Sequence, residues 1–244
     1  MTSFYAEDLA FIHHTGFARF AEEGAPGVLA LLQGAGIRQG LVVDLGCGSG
    51  LWARALLDAG YEVLGVDCAP AMIELARRVA PAARFLVSSF YDVDLPACAA
   101  VTVLGEGLGY MAVQDPREAL PLFLPRVHEA LAPGGVLLFD MILRSDREPM
   151  RYRATSEGAD WHVETEVIEE PELSLLTRHI ITKRRVDGTE RRTEETHRVR
   201  TFSASELETM LRGCGFEVEA HRRYGTMPLP PQRLAFFARK PENQ

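Results

Sequence analysis

The chain has 244 residues, of which 26 are Lys or Arg and 34 are Asp or Glu, so its formal net charge is −8. Its hydrophobic share of 47% and charged share of 25% are typical of soluble globular proteins and exclude a disordered or collagen-like chain. The length allows one domain, or one and a half, with a buried core. Because phosphate contacts dominate nucleic-acid affinity, the acidic balance disfavours nucleic acid as a partner.

The cysteines and the apolar stretches indicate where the protein works. No two cysteines form a Cys-x-x-Cys pair and no histidines cluster around them, which favours reduced thiols and disfavours a metal site. The first fourteen residues lack the pattern of a signal peptide, and the apolar stretch 96–113 is interrupted by Glu106 and by glycine and proline. We therefore expect a cytoplasmic protein without a membrane partner. The cysteines are Cys47, Cys68, Cys98 and Cys214.

The first 36 residues predict two helices, and we name this segment (residues 1–36) the N-terminal lid. Pro26 suits the first turn of the second helix, and Gly34 and Gly36 suit its end.

Strands and helices then alternate as far as residue 141. Short apolar runs such as LVVDLG (41–46) are typical of strands buried on both faces, and each is followed by a helical pattern. Asp115 before Pro116 predicts a helix start, and the Pro133-Gly134-Gly135 segment predicts its stop. Alternation of this kind predicts a parallel sheet covered by helices on both faces.

The pattern changes in residues 142–202, which we name the insert. Residues 144–158 are polar and poorly patterned, whereas residues 161–202 predict long antiparallel strands. Asp187-Gly188 is typical of a type I′ hairpin, and residues 170–172 predict the other turn.

Helical signals return with a capping box formed by Ser203 and Glu206, and this helix ends at residues 213–215. FEVEAHRRY and RLAFFARK, separated by GTMPLPPQ, then predict an antiparallel pair at the sheet edge. We expect residues 37–141 and 203–244 to form the main domain.

The sequence Asp44-Leu-Gly46-Cys-Gly48-Ser-Gly50 lies between the first strand and the next helix. Glycines there allow a tight turn and a close approach of the backbone to a ligand. The spacing G-x-G-x-G followed by Leu51 differs from the G-x-G-x-x-G of dinucleotide sites.

Asp67 ends the second strand, 19 residues after Gly48. A carboxylate at this position can accept hydrogen bonds from both hydroxyl groups of a ribose. Strand, glycine turn, helix, strand and acid in this order predict a nucleoside ligand.

These segments resemble class I S-adenosylmethionine-dependent methyltransferases. VVDLGCGSG is similar to the family's motif I, GVDCAPAMIELAR to its second-strand segment, ARFLVSSFYDVDLP to its third, LAPGGVLLFD to its fifth, and GFEVE to the start of its sixth. The resemblance implies an α/β, doubly wound, Rossmann-like sheet in the order 3-2-1-4-5-7-6 with strand 7 antiparallel. It also implies S-adenosyl-L-methionine as cofactor, in a small-molecule enzyme with a β-rich insertion after the fifth strand.

The resemblance further implies the cofactor-binding residues. Asp44 would organise the loop, Gly46, Cys47 and Gly48 would pass the methionine part, and Asp67 would bind the ribose. Cys68 and Met72 would lie beside the adenine, with Ser89 and Phe90 near its amine, although the family often has Asp where this chain has Ser89. Gly105 and Glu106 would meet the methionine end, and Tyr5 and His14 would approach the cofactor carboxylate or the acceptor.

The methyl acceptor is predicted by exclusion. The fourth-strand segment GEGLGY (105–110) lacks the [DNS]-P-P-[YFW] clamp of nucleobase or glutamine N-methyltransferases, and no cysteine follows a proline as in cytosine C5 enzymes. We therefore expect a small-molecule acceptor between the lid, the loop after Glu106 and the insert. The predicted acceptor contacts are Tyr110, His197 and Arg200; His14 and His197 could serve as a base, although proximity alone can suffice.

Three alternatives stay open at the level of sequence. The chain could be a non-catalytic S-adenosylmethionine-binding scaffold or sensor. A nicotinamide-dependent oxidoreductase is disfavoured by the glycine spacing. The insert could roof the acceptor pocket or form a dimer surface, so both a monomer and a homodimer are compatible with the sequence.

Overall fold

The computed structural model describes residues 4–146 and 148–242. The predicted segments 1–36, 142–202 and 203–244 include residues 1–3, 147 and 243–244, which lie outside the described residues. The helices are α1 (Glu7–Gly16), α2 (Arg19–Gly34), α3 (Leu51–Asp58), α4 (Pro70–Val79), α5 (Pro116–Ala130) and α6 (Ala204–Gly213). The strands are β1 (Leu41–Leu45), β2 (Glu62–Asp67), β3 (Arg84–Val87), β4 (Cys98–Val103), β5 (Leu131–Ile142), β6 (Arg151–Glu157), β7 (Trp161–Glu170), β8 (Leu175–Val186), β9 (Thr189–Arg200), β10 (Glu217–His221), β11 (Arg223–Tyr224), β12 (Met227–Pro228) and β13 (Arg233–Arg239).

The central sheet has seven strands in the order β10-β13-β5-β4-β1-β2-β3. The strands from β3 to β5 are parallel, and β13 runs antiparallel to both β5 and β10. The predicted order and the reversed strand are thereby confirmed. The direction of winding changes between β1 and β4, and ligands of such sheets bind outside the carboxyl ends of the strands at this point.

Helices cover both faces of the sheet because successive strand side chains point to opposite sides. On one face Val42 of β1 belongs to a core cluster with Leu32 of α2 and Leu56 of α3. On the other face Val43 belongs to a cluster with Phe123 of α5 and residues of α6. The continuous apolar run in β1 is therefore buried from both sides, as the sequence predicts.

The insert forms a separate antiparallel sheet in the order β6-β7-β8-β9, which confirms the predicted antiparallel β insertion. Asp187 and Gly188 join β8 to β9 with φ angles of 49° and 80°, as a type I′ turn requires. The insert begins where β5 ends, at the carboxyl edge of the central parallel strands.

Two local predictions are wrong. Strand β6 was not expected, because all of its residues are exposed and its sequence shows no alternation of apolar and polar residues. It exists because its backbone pairs with that of β7. Helix α2 begins at Arg19, so Pro26 lies in its interior and not in its first turn as predicted. The side of the helix that carries Gly24, Gly27 and Val28 is buried, and both glycines pack against the β11–β12 hairpin. This packing outweighs the preference of proline for the first turn of a helix. The predicted antiparallel pair at the sheet edge is confirmed by the pairing of β10 with β13, and the short β11–β12 hairpin lies in the segment between them.

The lid helix α1 lies between the insert and α4. Leu9 and Ile12 pack with Val163 and Ile180 of the insert. Ala10 packs with Met72 and its neighbours at the start of α4. Helix α1 therefore spans the carboxyl edge of the sheet. Among residues 4–146 and 148–242, no helix is long and apolar enough to cross a membrane.

Two glycines of α2 provide a test of this packing. A Cβ atom on Gly27 would lie 2.3 Å from the carbonyl carbon of Tyr224, whereas a Cβ atom on Gly34 would meet nothing within 4 Å. We expect Gly27→Ala to lower the free energy of unfolding by about 1–3 kcal/mol through overpacking. Gly34→Ala should raise it by up to about 1 kcal/mol through helix propensity. Urea unfolding of both variants checks this, and equal effects would contradict the close contact between α2 and β11.

Candidate functional site

The turn between β1 and α3 depends on glycine. Gly46, Gly48 and Gly50 all have positive φ angles, of 66°, 53° and 79°. A Cβ atom on Gly50 would lie 2.9 Å from the Cα atom of Ala76, so α4 approaches the turn closely. Cβ atoms on Gly46 and Gly48 would meet nothing within 4 Å, so the backbone there borders open space. The turn thus presents bare backbone to a ligand.

Asp67 joins this turn to the end of β2. Its Oδ2 accepts a hydrogen bond from the Gly48 N–H at 2.9 Å, and its Oδ1 accepts one from the Ala69 N–H at 2.8 Å. Burial raises the pKa of Asp67, and these backbone N–H groups oppose the rise. The carboxylate is therefore held in one orientation at the carboxyl end of β2.

Asp44 is buried beneath the turn. Its Oδ1 accepts a hydrogen bond from the Thr102 hydroxyl at 3.0 Å, and that hydroxyl accepts one from the Trp52 indole N–H at 3.1 Å. Its Oδ2 is buried and has no hydrogen-bond partner among the described residues. Burial raises the pKa of Asp44 to about 7.

A cavity of about 540 Å³ opens above these residues. The lid, the βα turns of the central sheet, the insert and the C-terminal segment all contribute to its wall. From the lid it receives Tyr5, Leu9, His13, Phe17 and Phe20, and from the insert Val163, Thr165, Arg178 and Ile180. The volume lies in the range of small-molecule sites, roughly 300–1,000 Å³.

A cluster of four buried charges lies at one end of the cavity. Glu106 forms ion pairs with Arg178 of β8 and, at 2.6 Å, with Arg233 of β13. Asp140 of β5 accepts hydrogen bonds from the Gly105 and Glu106 N–H groups at 2.8 and 3.1 Å. Burial alone would raise the pKa of Glu106, but the two guanidinium groups hold it below its usual value. The cluster fixes the loop after β4 relative to the insert.

Aromatic side chains form the adjoining wall. The Tyr110 hydroxyl accepts a hydrogen bond from Arg178 at 2.8 Å and donates one to Glu106 at 3.3 Å. The Tyr5 hydroxyl lies 3.5 Å from the Tyr110 hydroxyl. Burial, together with the neighbouring His14, lowers the pKa of His13 to about 4. His13 is therefore a neutral imidazole at pH 7, and no described residue hydrogen-bonds to its ring.

The structure brings most of the sequence-predicted residues to this cavity. His14 does not line it, but its Nδ1 lies 2.9 Å from the Ser49 hydroxyl in the glycine turn. The predicted residues that line the cavity are Tyr5, Asp44, Gly46, Cys47, Gly48, Asp67, Cys68, Met72, Ser89, Phe90, Gly105, Glu106 and Tyr110.

Two predicted acceptor contacts lie elsewhere. His197 is buried behind the rings of Tyr5 and Tyr110, at centroid distances of 4.9 and 5.9 Å, with its Nε2 2.9 Å from Glu195. Arg200 binds Asp115, the N-cap residue of α5, through three contacts of 2.6–3.0 Å. Neither side chain is part of the cavity wall, because β9 points them at the lid and at α5 respectively.

Sequence reasoning did not identify His13, Arg178 and Arg233. Leu9, His13 and Phe17 are spaced four residues apart, so one helix face would have revealed His13 in place of His14. Arg178 and Arg233 carry no comparable signal, since each is one arginine among many in a polar strand or at a strand start.

Comparisons with known proteins find similarity to methyltransferases. The sequence profile of the methyltransferase domain family matches residues 42–135. YqeM of Bacillus subtilis, a methyltransferase by provisional assignment, is 28% identical over 218 residues, covering 83% of this chain and 85% of that protein. Seven further relatives match over 38–49% of their own length.

Solved structures share the fold over nearly the whole chain. An S-adenosylmethionine-dependent methyltransferase from Clostridium acetobutylicum superimposes with a TM-score of 0.79 at 15% identity, covering 95% of this chain and 97% of that one. CalS10, an amino pentose methyltransferase from Micromonospora echinaspora, has a TM-score of 0.75 at 19% identity, with coverages of 94% and 96%. Identities this low show a common fold.

The raised pKa of Asp44 predicts a pH-dependent stability. The folded protein retains a proton on Asp44 up to about pH 7, whereas the unfolded chain loses it near 3.8. The contribution of Asp44 to stability is therefore complete below pH 3.8 and is lost as the pH rises to 7. We expect Asp44→Asn, which is neutral throughout, to gain stability relative to wild type across this window, by at most about 1.4 kcal/mol per pH unit.

Urea unfolding at several pH values between 4 and 7 measures the effect. Asp94→Asn, at an exposed site, is the matched control and should follow the wild-type curve. Parallel curves for Asp44→Asn and wild type would contradict the prediction.

Proposed function

We propose that the chain is a class I S-adenosylmethionine-dependent methyltransferase, which transfers a methyl group to a small molecule held in the cavity under the lid and the insert; the matched methyltransferase domain profile, the similarity to YqeM and the shared fold support this. The observation that carries this proposal is the composition of the cavity wall. One cavity of about 540 Å³ is lined both by the βα-turn residues that are predicted to bind the cofactor and by side chains of the lid and the insert.

The residues present fit S-adenosylmethionine. The backbone at Gly46 and Gly48 borders open space, Asp67 holds a carboxylate at the end of β2, and Asp44 has a buried oxygen without a partner among the described residues. We propose that Asp67 binds the ribose hydroxyls and that the backbone at Gly46 and Gly48 faces the methionine part. In the same proposal, the adenine is flanked by Cys68, Met72, Ser89 and Phe90, and the methionine end is reached by Gly105 and Glu106.

The acceptor would occupy the part of the cavity bordered by the lid, Tyr110 and the insert. Its wall includes Tyr5, His13, Tyr110 and Ile180, so it is aromatic and apolar with a few polar groups. Such a chamber suits a small organic molecule better than a polymer, and the net charge of −8 disfavours nucleic acid. CalS10, whose name states an amino pentose substrate, has the same fold, although the likeness does not transfer its acceptor.

Reaction requires alignment and exclusion of water. S-adenosylmethionine supplies a methyl group on a sulfonium, which is already an activated electrophile. The protein would hold the acceptor atom in line with that methyl group inside a closed cavity. The neutral His13 ring, which borders the cavity, could accept a hydrogen bond from an N–H or O–H group of the acceptor and so orient its lone pair.

We also propose that the protein works in the reducing cytoplasm. All four cysteines are free thiols in the structure, which is the usual state in that compartment.

Incubation with S-adenosylmethionine and a fractionated extract of small metabolites tests the proposal. We expect release of S-adenosylhomocysteine together with a product heavier by one CH₂ group, both detected by mass spectrometry. Methylation of tRNA or DNA would overturn the small-molecule acceptor. Cofactor binding without turnover over the whole extract would favour the scaffold or sensor function instead.

Asp67→Asn tests the cofactor site. The change removes the negative charge that would accept hydrogen bonds from the ribose, so we expect cofactor binding to weaken by about 1–3 kcal/mol. The matched control is Asp58→Asn, which alters an exposed carboxylate paired with Arg54. Isothermal calorimetry with S-adenosylmethionine measures both variants. Unchanged affinity in Asp67→Asn, or tighter wild-type binding of NAD, would contradict the proposed site.

A further inference from the structure

Helix α1 of the lid begins without a capping side chain of its own. Its N-cap residue is Ala6, which has no side-chain acceptor for the free N–H groups of a helix start. The insert instead supplies an acceptor for the backbone at the entry to the helix, at Ala6 and the residue before it. The Tyr5 N–H donates to one carboxylate oxygen of Glu195 at 2.7 Å, and the Ala6 N–H donates to the other at 2.9 Å.

Glu195 is itself buried, with 7% of its surface exposed. Besides the two lid amides, it contacts Nε2 of His197 at 2.9 Å, which we assign as the donor. The His197 ring packs on Phe4 and Tyr5 at centroid distances of 4.4 and 4.9 Å. The carboxylate therefore has three donors, two of which are backbone groups of the lid.

These bonds determine where the Tyr5 side chain lies. Tyr5 has a φ angle of 48°, in the left-handed region that disfavours a side chain with a Cβ atom. The bond from its N–H to Glu195 helps to hold this conformation, in which the ring lines the cavity and the hydroxyl lies 3.5 Å from that of Tyr110. A residue of the insert thus positions a residue of the cavity wall without lining the cavity itself.

Further contacts join α1 to the insert. Arg184 pairs with the buried Asp8 at 3.1 Å, and its guanidinium lies 3.6 Å from the centroid of the Phe11 ring. The Trp161 ring packs against Gly16 at the other end of the helix. The insert therefore holds α1 along its whole length, and Glu195 is the contact made to the backbone of Tyr5.

We propose that Glu195 is a positioning residue that latches the lid over the bound cofactor. Tyr5, Leu9 and His13 of the lid share the cavity with Asp67 and Met72, so a nucleoside bound there is covered by α1. Release of the latch then limits how fast the cofactor enters and its product leaves. The inference rests on the proposed function in taking S-adenosylmethionine as the ligand.

Glu195→Gln tests the latch. Glutamine keeps one acceptor oxygen and replaces the other with an NH₂ donor, so one of the lid amides loses its partner. Two readouts apply: hydrogen exchange of residues 5–16 in the protein without ligand, and the rate of S-adenosylhomocysteine release in stopped-flow displacement. We expect both rates to rise about tenfold or more. Glu194→Gln, which alters the neighbouring exposed carboxylate paired with Arg192, should leave both at the wild-type level.

A second variant separates latching from simple helix capping. Ala6→Ser gives α1 its own cap but does not reconnect it to the insert. In the double variant with Glu195→Gln, release should stay fast; a return to the wild-type rate would overturn the latch. If Glu195→Gln does not fold, Glu195→Asp carries the test, since its shorter side chain strains the same bonds, and wild-type rates in that variant would likewise overturn the proposal.

The two readouts also separate the latch from the proposed function. If wild type binds neither S-adenosylmethionine nor S-adenosylhomocysteine, the cofactor site fails and so does the gating of ligand exchange. If binding is normal but Glu195→Gln leaves hydrogen exchange and release unchanged, only the latch fails.

Discussion

Glu106, Asp140, Arg178 and Arg233 are buried together at the carboxyl edge of the sheet, and their mutual neutralisation is the constraint around which the site is arranged. Removing charges from water is costly, and a buried pair that loses one partner is destabilised by about 3–5 kcal/mol. Two carboxylates and two guanidinium groups balance. Since they come from the loop after β4 and from β5, β8 and β13, their pairing fixes these segments relative to one another. Glu106 adopts a φ angle of 64°, in the left-handed region that non-glycine residues disfavour. Its ion pairs with the two arginines are therefore maintained despite an unfavourable backbone conformation.

This constraint makes the insert part of the candidate site. Arg178 reaches the cluster from β8, and Tyr110 takes its orientation from Arg178 and Glu106. The lid in turn depends on the insert, through Glu195 and Arg184. The cavity therefore has two parts of different origin. The part beside Asp67 is built by turns of the central sheet, and the part beside Tyr110 is built by contacts between the lid and the insert.

The electrostatics of the two parts differ as well. Burial raises the pKa of both Asp44 and Asp67 beside the glycine turn, so two titratable carboxyl groups border that part of the cavity. On the lid side, burial keeps His13 neutral, and the nearby charges are already paired with one another. A neutral, aromatic surface at this position does not select a ligand by its charge. Selectivity there would depend on shape and on a few hydrogen bonds.

The sequence by itself determined the buried strands of the central sheet, the glycine turn and the position of Asp67, whereas the strand order was implied by the resemblance to a known family. These features are encoded in short segments of the sequence. Buried strands need continuous apolar runs, and turn positions with a positive φ angle favour glycine. Asp67 is the last residue of β2, so its position is known once that strand is recognised. The antiparallel insert was predictable for the same reason, because Asp187-Gly188 specifies its hairpin.

Only the tertiary structure decided which polar side chains of the lid and insert reach the cavity. Arg178 and His197 pair across β8 and β9 and share one face, on which Arg178 reaches Glu106 and His197 contacts Glu195. Arg200 lies on the opposite face and pairs with Asp115. Glu106 and Arg233 are 127 positions apart, and neither is marked by its neighbours in the chain. Strand β6 has no buried face, so only its pairing with β7 defines it. Polar strands carry no apolar pattern to fix their orientation, and their partners are chosen by contacts between distant segments.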